Sequence, residues 1–206
     1  MAVLFANNNS LSSITTKPSG LSGGSMNLIS TQTASSSSTI SFTSGIDSTY
    51  DEYVFKFINI HGTDDQVFSF NVSIDSGSNY NVAKTTTYFN TYLPEDSSVG
   101  SSNNLSYKTS NDLAQGTGFQ YLHSYINGDA DCGCVGSLTL YAPSSTTFVK
   151  HFIFRGSSIY PSSDSDGMKD QFVAGYANST SAVDAVQFKM TSGNIESGVI
   201  KMYGIS

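Results

Sequence analysis

Two cysteines, Cys132 and Cys134, stand in the run GDADCGCVG, beside Asp129 and Asp131 and a little downstream of His123. Thiolate, imidazole and carboxylate are all zinc ligands, but a closed tetrahedral site needs four of them and a loop that folds them together. A bridge between cysteines this close in sequence is strained, and a cytoplasmic origin disfavours it further. The pair therefore reads as a structural loop with free thiols, and neither metal nor cofactor is expected.

Other runs match catalytic or binding patterns in letters only. GLSGG, residues 20–24, has the spacing of a hydrolase nucleophile elbow, which requires a strand, a strained turn and a helix; here it lies in a polar stretch. DSDGMKD, residues 164–170, clusters acids around a glycine without the closing Glu of a calcium loop, and reads as a solvated turn. Of the three histidines, His61, His123 and His151, the last falls in FVKHFIFR in phase with Val149 and Ile153, as a partly buried packing residue would. No spacing of Ser, His and acid suggests a triad, so no catalytic residue is assigned.

Tyrosine offers a different chemistry. Tyr80, Tyr88 and Tyr92 group in one region and Tyr121 and Tyr125 in another. A phenol ring presents apolar area with a polar tip, suited to stacking on a sugar and equally to a subunit interface, where Tyr is enriched. These five residues are the candidate glycan or subunit contacts, with the interface reading ahead.

The elements that must position them are strands. QVFSFNVSID puts Phe68, Phe70, Val72 and Ile74 on one face and Ser69, Asn71 and Ser73 on the other, the alternation of a strand buried on one side. YVFKFINI is apolar on both faces, Tyr53, Phe55 and Phe57 against Val54, Ile58 and Ile60, as a central strand would be. Further strands are expected over 39–43, 86–93, 105–108, 137–141, 148–155, 172–177, 185–190 and 199–204, separated by Gly, Pro, Asn, Asp and Ser clusters. The weak helical candidate SNDLAQ, from Ser110, runs into Gly116 and Gly118. The fold class is all-β, an antiparallel two-sheet β-sandwich of jelly-roll type, preceded by an extended and mostly irregular N-terminal arm.

The arm is set at residues 1–37 and the β-sandwich at 38–206. The arm is dominated by Ser, Thr, Asn and Gly, with Leu11, Ile14, Leu21, Met26, Leu28 and Ile29 too sparse to build a core. Such a stretch orders only on a support, so these six residues are the expected pegs of a docking arm on the domain itself or on another subunit.

Composition narrows the partners. Charged residues make up 12% of the chain, against roughly 25% in ordinary soluble domains. This polar but weakly charged surface packs readily against copies of itself. A net charge of -7 with nine Lys and Arg leaves no basic patch, so nucleic acid is not an expected partner. The apolar run in MAVLFANNNS is short and lacks a basic leader, so a chain made and folded in a cytoplasm, without membrane insertion, is expected.

Five runs carry a resemblance: STISFTSGIDSTYDEYVFKFINIH (38–61), DSGSNYNVAKTTTYF (75–89), NDLAQGTGFQ (111–120), PSSTTFVKHFI (143–153) and NSTSAVDAVQFKMTSGNIESGVIKMYGIS (178–206). Together they resemble small structural proteins of tailed bacteriophages, especially those infecting marine bacteria. The DCGC loop departs from the acidic, Asn-rich stretch such proteins would have there. The resemblance implies a β-rich, non-enzymatic virion component that assembles as a homo-oligomer with other virion proteins. By analogy with phage appendages it implies a trimer in a tail-associated fibre or adhesion module that could meet a host-surface glycan. The alternatives are a capsid decoration protein on the phage head and a stand-alone carbohydrate-binding module.

Overall fold

The computed structural model describes residues 26–96, 105–162 and 166–206. Among these residues twelve strands follow one another: β1 (Asn27–Thr33), β2 (Ile40–Phe42), β3 (Glu52–Gly62), β4 (Gln66–Ser73), β5 (Lys84–Pro94), β6 (Ser106–Tyr107), β7 (Gln120–Ile126), β8 (Cys134–Tyr141), β9 (Lys150–Tyr160), β10 (Gly167–Ala177), β11 (Ala185–Met190) and β12 (Ile195–Ile205). Among the described residues the helical content is one 3-10 turn, Thr109–Asn111, at the start of the SNDLAQ segment. The strands form an eight-stranded sheet in the order β1-β12-β3-β8-β9-β10-β5-β6 and a four-stranded sheet in the order β2-β11-β4-β7. Every pairing is antiparallel, and the two sheets pack into the expected sandwich.

Phenylalanine fills the space between the sheets because it is the largest apolar side chain the alternation delivers inward. Phe188 of the small sheet meets Phe55 at 5.4 Å and Phe57 at 5.1 Å from the large sheet, and Phe70 meets Phe152 at 4.9 Å. The rings cross edge to face, the arrangement that an aromatic quadrupole favours.

Four expectations change. Residues 27–37, assigned to the arm, belong to the sandwich: β1 pairs with β12, Ala34 is buried, and Ser37 bridges Ile195. An otherwise unpaired β12 edge would expose a row of backbone donors and acceptors, which a polar strand such as NLISTQT can cover. Ile29 packs on the core, whereas Met26 and Leu28 are exposed, Leu28 to 56%. Leu11, Ile14 and Leu21 lie outside the described residues.

In β3 the alternation breaks at Asn59, which takes φ of +50° where the register to β8 and β12 shifts. This bulge turns Ile60 into the core and leaves Ile58 outside, so the two do not share a face. On β4 the polar side is buried as completely as the apolar one: Ser69, Asn71 and Ser73 are covered, while Ile74, beyond the strand, is exposed. His151 faces outward on β9 beside Tyr176, since Phe152 and Phe154 take the inward positions.

The large sheet keeps its outer face open. Leu28, Tyr203, Val54, Thr139, Ile153, Ala174 and Thr87 stand in register across it, with Ile153 53% exposed.

Candidate functional site

The outer face of the small sheet carries a concave site. Antiparallel register sets Lys189 of β11 opposite Ser69 of β4, and Ser69 opposite Tyr121 of β7. Because residues directly opposite share a face, this row forms a floor with an ammonium, a hydroxyl and a phenol in line. Residues 110–113 and Gly118 with Phe119 rise beside it, and Thr191 completes the lining of a cleft of about 500 Å³.

The loop that makes the wall is fastened rather than draped. Leu113 donates its N–H to Thr86 Oγ1 at 2.8 Å, and its carbonyl accepts from Thr86 N at 2.9 Å. Gly116 and Lys84 exchange both backbone bonds, at 2.8 and 3.1 Å. Asn71, on the buried polar side of β4, donates from Nδ2 to Tyr80 O at 2.6 Å and Thr117 O at 3.0 Å. Gln120 Nε2 donates to Asn111 O at 3.0 Å. Ser69 Oγ donates to Lys189 O of β11 at 3.0 Å and Ser73 Oγ to Asp75 Oδ1 in the following turn at 2.7 Å, so each of the three polar residues that β4 buries meets a partner.

Beneath the wall lies Lys84, fully buried, donating from Nζ to Asn71 Oδ1 at 2.5 Å and Val82 O at 2.8 Å. Burial without a carboxylate disfavours its charge and brings its pKa down to about 7.

Of the residues that line the cleft, Lys189 and Asp112 carry charge. Lys189 Nζ lies 4.2 Å from the Phe119 ring centroid, a cation–π contact. Asp112 accepts a hydrogen bond from the Tyr107 phenol, which raises the Tyr107 pKa, while its Oδ1 is buried with no protein partner. The Phe119 and Tyr121 rings with the Asp112 carboxylate and the Lys189 ammonium can bind a polyhydroxylated ring: apolar C–H groups stack, and hydroxyls donate to Asp112 and accept from Lys189.

The five sequence-flagged tyrosines separate. Tyr121 alone lies in the cleft. Tyr88 is buried between the sheets, donating its hydroxyl to Gln171 Oε1 and accepting from Ser124 N at 3.1 Å, so it is available to neither glycan nor subunit. Tyr80 sits over the β4–β5 turn, its hydroxyl so near Gly77 that a Cβ there would come within 2.9 Å. Tyr92 and Tyr125, from the two different regions, both pack on Tyr160, at centroid distances of 5.5 and 6.3 Å. Lys169 Nζ rests 3.2 Å from the Tyr160 centroid. Tyr125 adopts φ of +53°, uncommon for a bulky residue, which throws its ring outward.

Phe119, Asp112 and Lys189 went unnoticed in the sequence; their types carry no signal until strand register and the loop gather them.

The cysteine loop supplies little chemistry. Cys134 points into the core, and burial with Asp131 and Asp129 nearby pushes the Cys132 thiol up to about 11, so neither is a ready nucleophile. Among the described residues no group of three or more His, Cys, Asp or Glu is placed to hold a metal ion. His123 is instead buried between the sheets, its Nδ1 2.8 Å from Gln171 Nε2, and burial lowers its pKa to about 3. GLSGG and residues 164–165 of the acidic run lie outside the described residues, while Asp170 of that run pairs with Arg155 at 3.0 Å.

Compared with family models, with curated proteins and with solved structures, the chain finds no match.

Proposed function

We propose that the protein is a non-enzymatic structural component of a tailed-phage particle, a tail-associated adhesion module that holds a host-surface sugar in the cleft on its small sheet. The observation that carries this reading is the cleft itself, where the Tyr121 and Phe119 rings stand beside the Asp112 carboxylate and the Lys189 ammonium. Glycoside hydrolysis uses a pair of carboxylates, and the lining supplies Asp112 alone. Homo-oligomeric assembly, as a trimer by analogy with phage appendages, would multiply a weak single-site affinity by avidity.

Two measurements test the reading. Quantitative mass spectrometry of purified particles gives the copy number against the major capsid protein: few copies per particle fit the tail, and absence from particles refutes a virion role. A glycan array probed with the whole chain tests adhesion, and a flat array removes the sugar.

A second reading, capsid decoration, is favoured by the outer face of the large sheet, where Leu28 and Ile153 leave apolar side chains open to a neighbouring subunit. It predicts a copy number close to that of the capsid protein.

A further inference from the structure

We propose that the cleft selects a pyranose bearing a carboxylate, with the carboxylate against Lys189 and a ring hydroxyl donating to Asp112. This rests on the sugar-binding reading above and narrows it to an acidic class of ligand.

The argument begins with Lys189. Among the described residues its ammonium has no acid within ion-pair distance, and the ion pair formed is Arg155–Asp170, on the other sheet. The Phe119 face holds it at 4.2 Å, which fixes the charge in place while leaving its hydrogen-bond donors unspent. Apolar surface from Phe119 and Leu113 beside it displaces water, and a charge there acts at a lower effective dielectric than a fully solvated lysine.

Asp112 imposes the opposite demand. Its carboxylate, part of the cleft lining, calls for a donor and repels an anion. A neutral hexose answers the acceptor but leaves the cation with hydroxyl partners only. A uronic acid answers both, because its carboxylate and its hydroxyls lie on different carbons of one rigid ring and can face the two groups separately. The chain's net charge of -7 gives no long-range attraction for such a ligand, so selection depends on this one local cation.

The cleft volume of about 500 Å³ falls in the range of roughly 300–1,000 Å³ usual for small-ligand sites.

The test is an NMR titration of the whole 15N-labelled chain with glucuronate, glucose and glucosamine. Glucuronate should perturb the amides of Phe119, Tyr121 and Lys189 and bind about tenfold more tightly than glucose, the discrimination expected of one charge-assisted hydrogen bond. Lys189→Gln should erase that preference while glucose binding persists, Lys189→Arg should restore it, and Lys201→Gln, a cation on the other sheet, should leave it unchanged. Equal binding of glucuronate and glucose, or a preference for glucosamine, overturns the acidic-sugar inference and leaves sugar binding standing. Failure of all three sugars to perturb the cleft overturns both.

Discussion

Replacing Lys84 with Met tests the electrostatics beneath the cleft. In the folded protein the pKa of Lys84 is lowered to about 7 by burial, from an ordinary 10.5. Between those two values the unfolded chain carries a proton that the folded chain has released. The unfolded state then binds more protons, so stability must rise as pH rises. Integrating the linkage relation from pH 7 to pH 9 gives a gain of about 2 kcal/mol from this one side chain, with little change between pH 5 and 6, where both states are protonated. Lys169, also lowered to about 7 by burial, contributes with the same sign, so the variant is compared with wild type rather than with a flat line. Met matches lysine in length, and Asn71 Oδ1 keeps its bond from Val72 N at 2.9 Å, so the variant should fold. Urea unfolding at half-unit pH steps should show the wild-type curve climbing more steeply than that of Lys84→Met between pH 7 and 9. Parallel curves would falsify the assignment of a neutral, buried Lys84.

Other perturbations address separate parts of the molecule. Phe188→Ala removes the ring that touches Phe42, Phe55, Phe57, Phe68 and Phe70 and should lower stability by about 3–5 kcal/mol in denaturant melts; a loss below 1 kcal/mol would mean that the core closes around the gap. Gly118→Phe should block the cleft without unfolding the protein, since a Cβ there meets nothing within 4 Å; unchanged glycan binding by this variant would move the site elsewhere. Deleting residues 1–37 removes β1 and uncovers the β12 edge, so the shortened chain should melt at lower temperature and aggregate more readily, as light scattering would reveal.

The sequence exposed those elements whose burial follows strict alternation. Strand β11 begins and ends where its period-two pattern does, and the Phe68, Phe70, Val72 face of β4 points inward as read. Strand β7 was missed because its inward residues include Gln120 and His123, which look solvent-facing until Thr86 Oγ1 and Gln171 Nε2 are seen to satisfy them. Strand β1 was missed for the converse reason: an edge strand needs few apolar residues, so NLISTQT resembles irregular chain. At the cleft, Tyr121 was legible by type. Its neighbours were not, because the row Lys189–Ser69–Tyr121 exists only through pairings that no local pattern encodes.

Asn71 shows why the cleft and the pH-sensitive lysine belong to one arrangement. Its Oδ1 accepts from Lys84 Nζ, and its Nδ2 donates to the carbonyls of Tyr80 and Thr117. One amide therefore ties β4 to the start of β5 and to the loop that carries Phe119. Removing it by Asn71→Ala would leave the buried Lys84 nitrogen with Val82 O as its remaining acceptor and strand the carbonyls of Tyr80 and Thr117, a loss of about 1–3 kcal/mol for each group left without a partner. The wall of the cleft would lose one of its anchors at the same stroke. The variant should consequently lose both stability and sugar binding, whereas Lys189→Gln should retain the first and change only ligand preference. Finding Asn71→Ala as stable as wild type, with the cleft amides unshifted, would refute the claim that this amide positions the site.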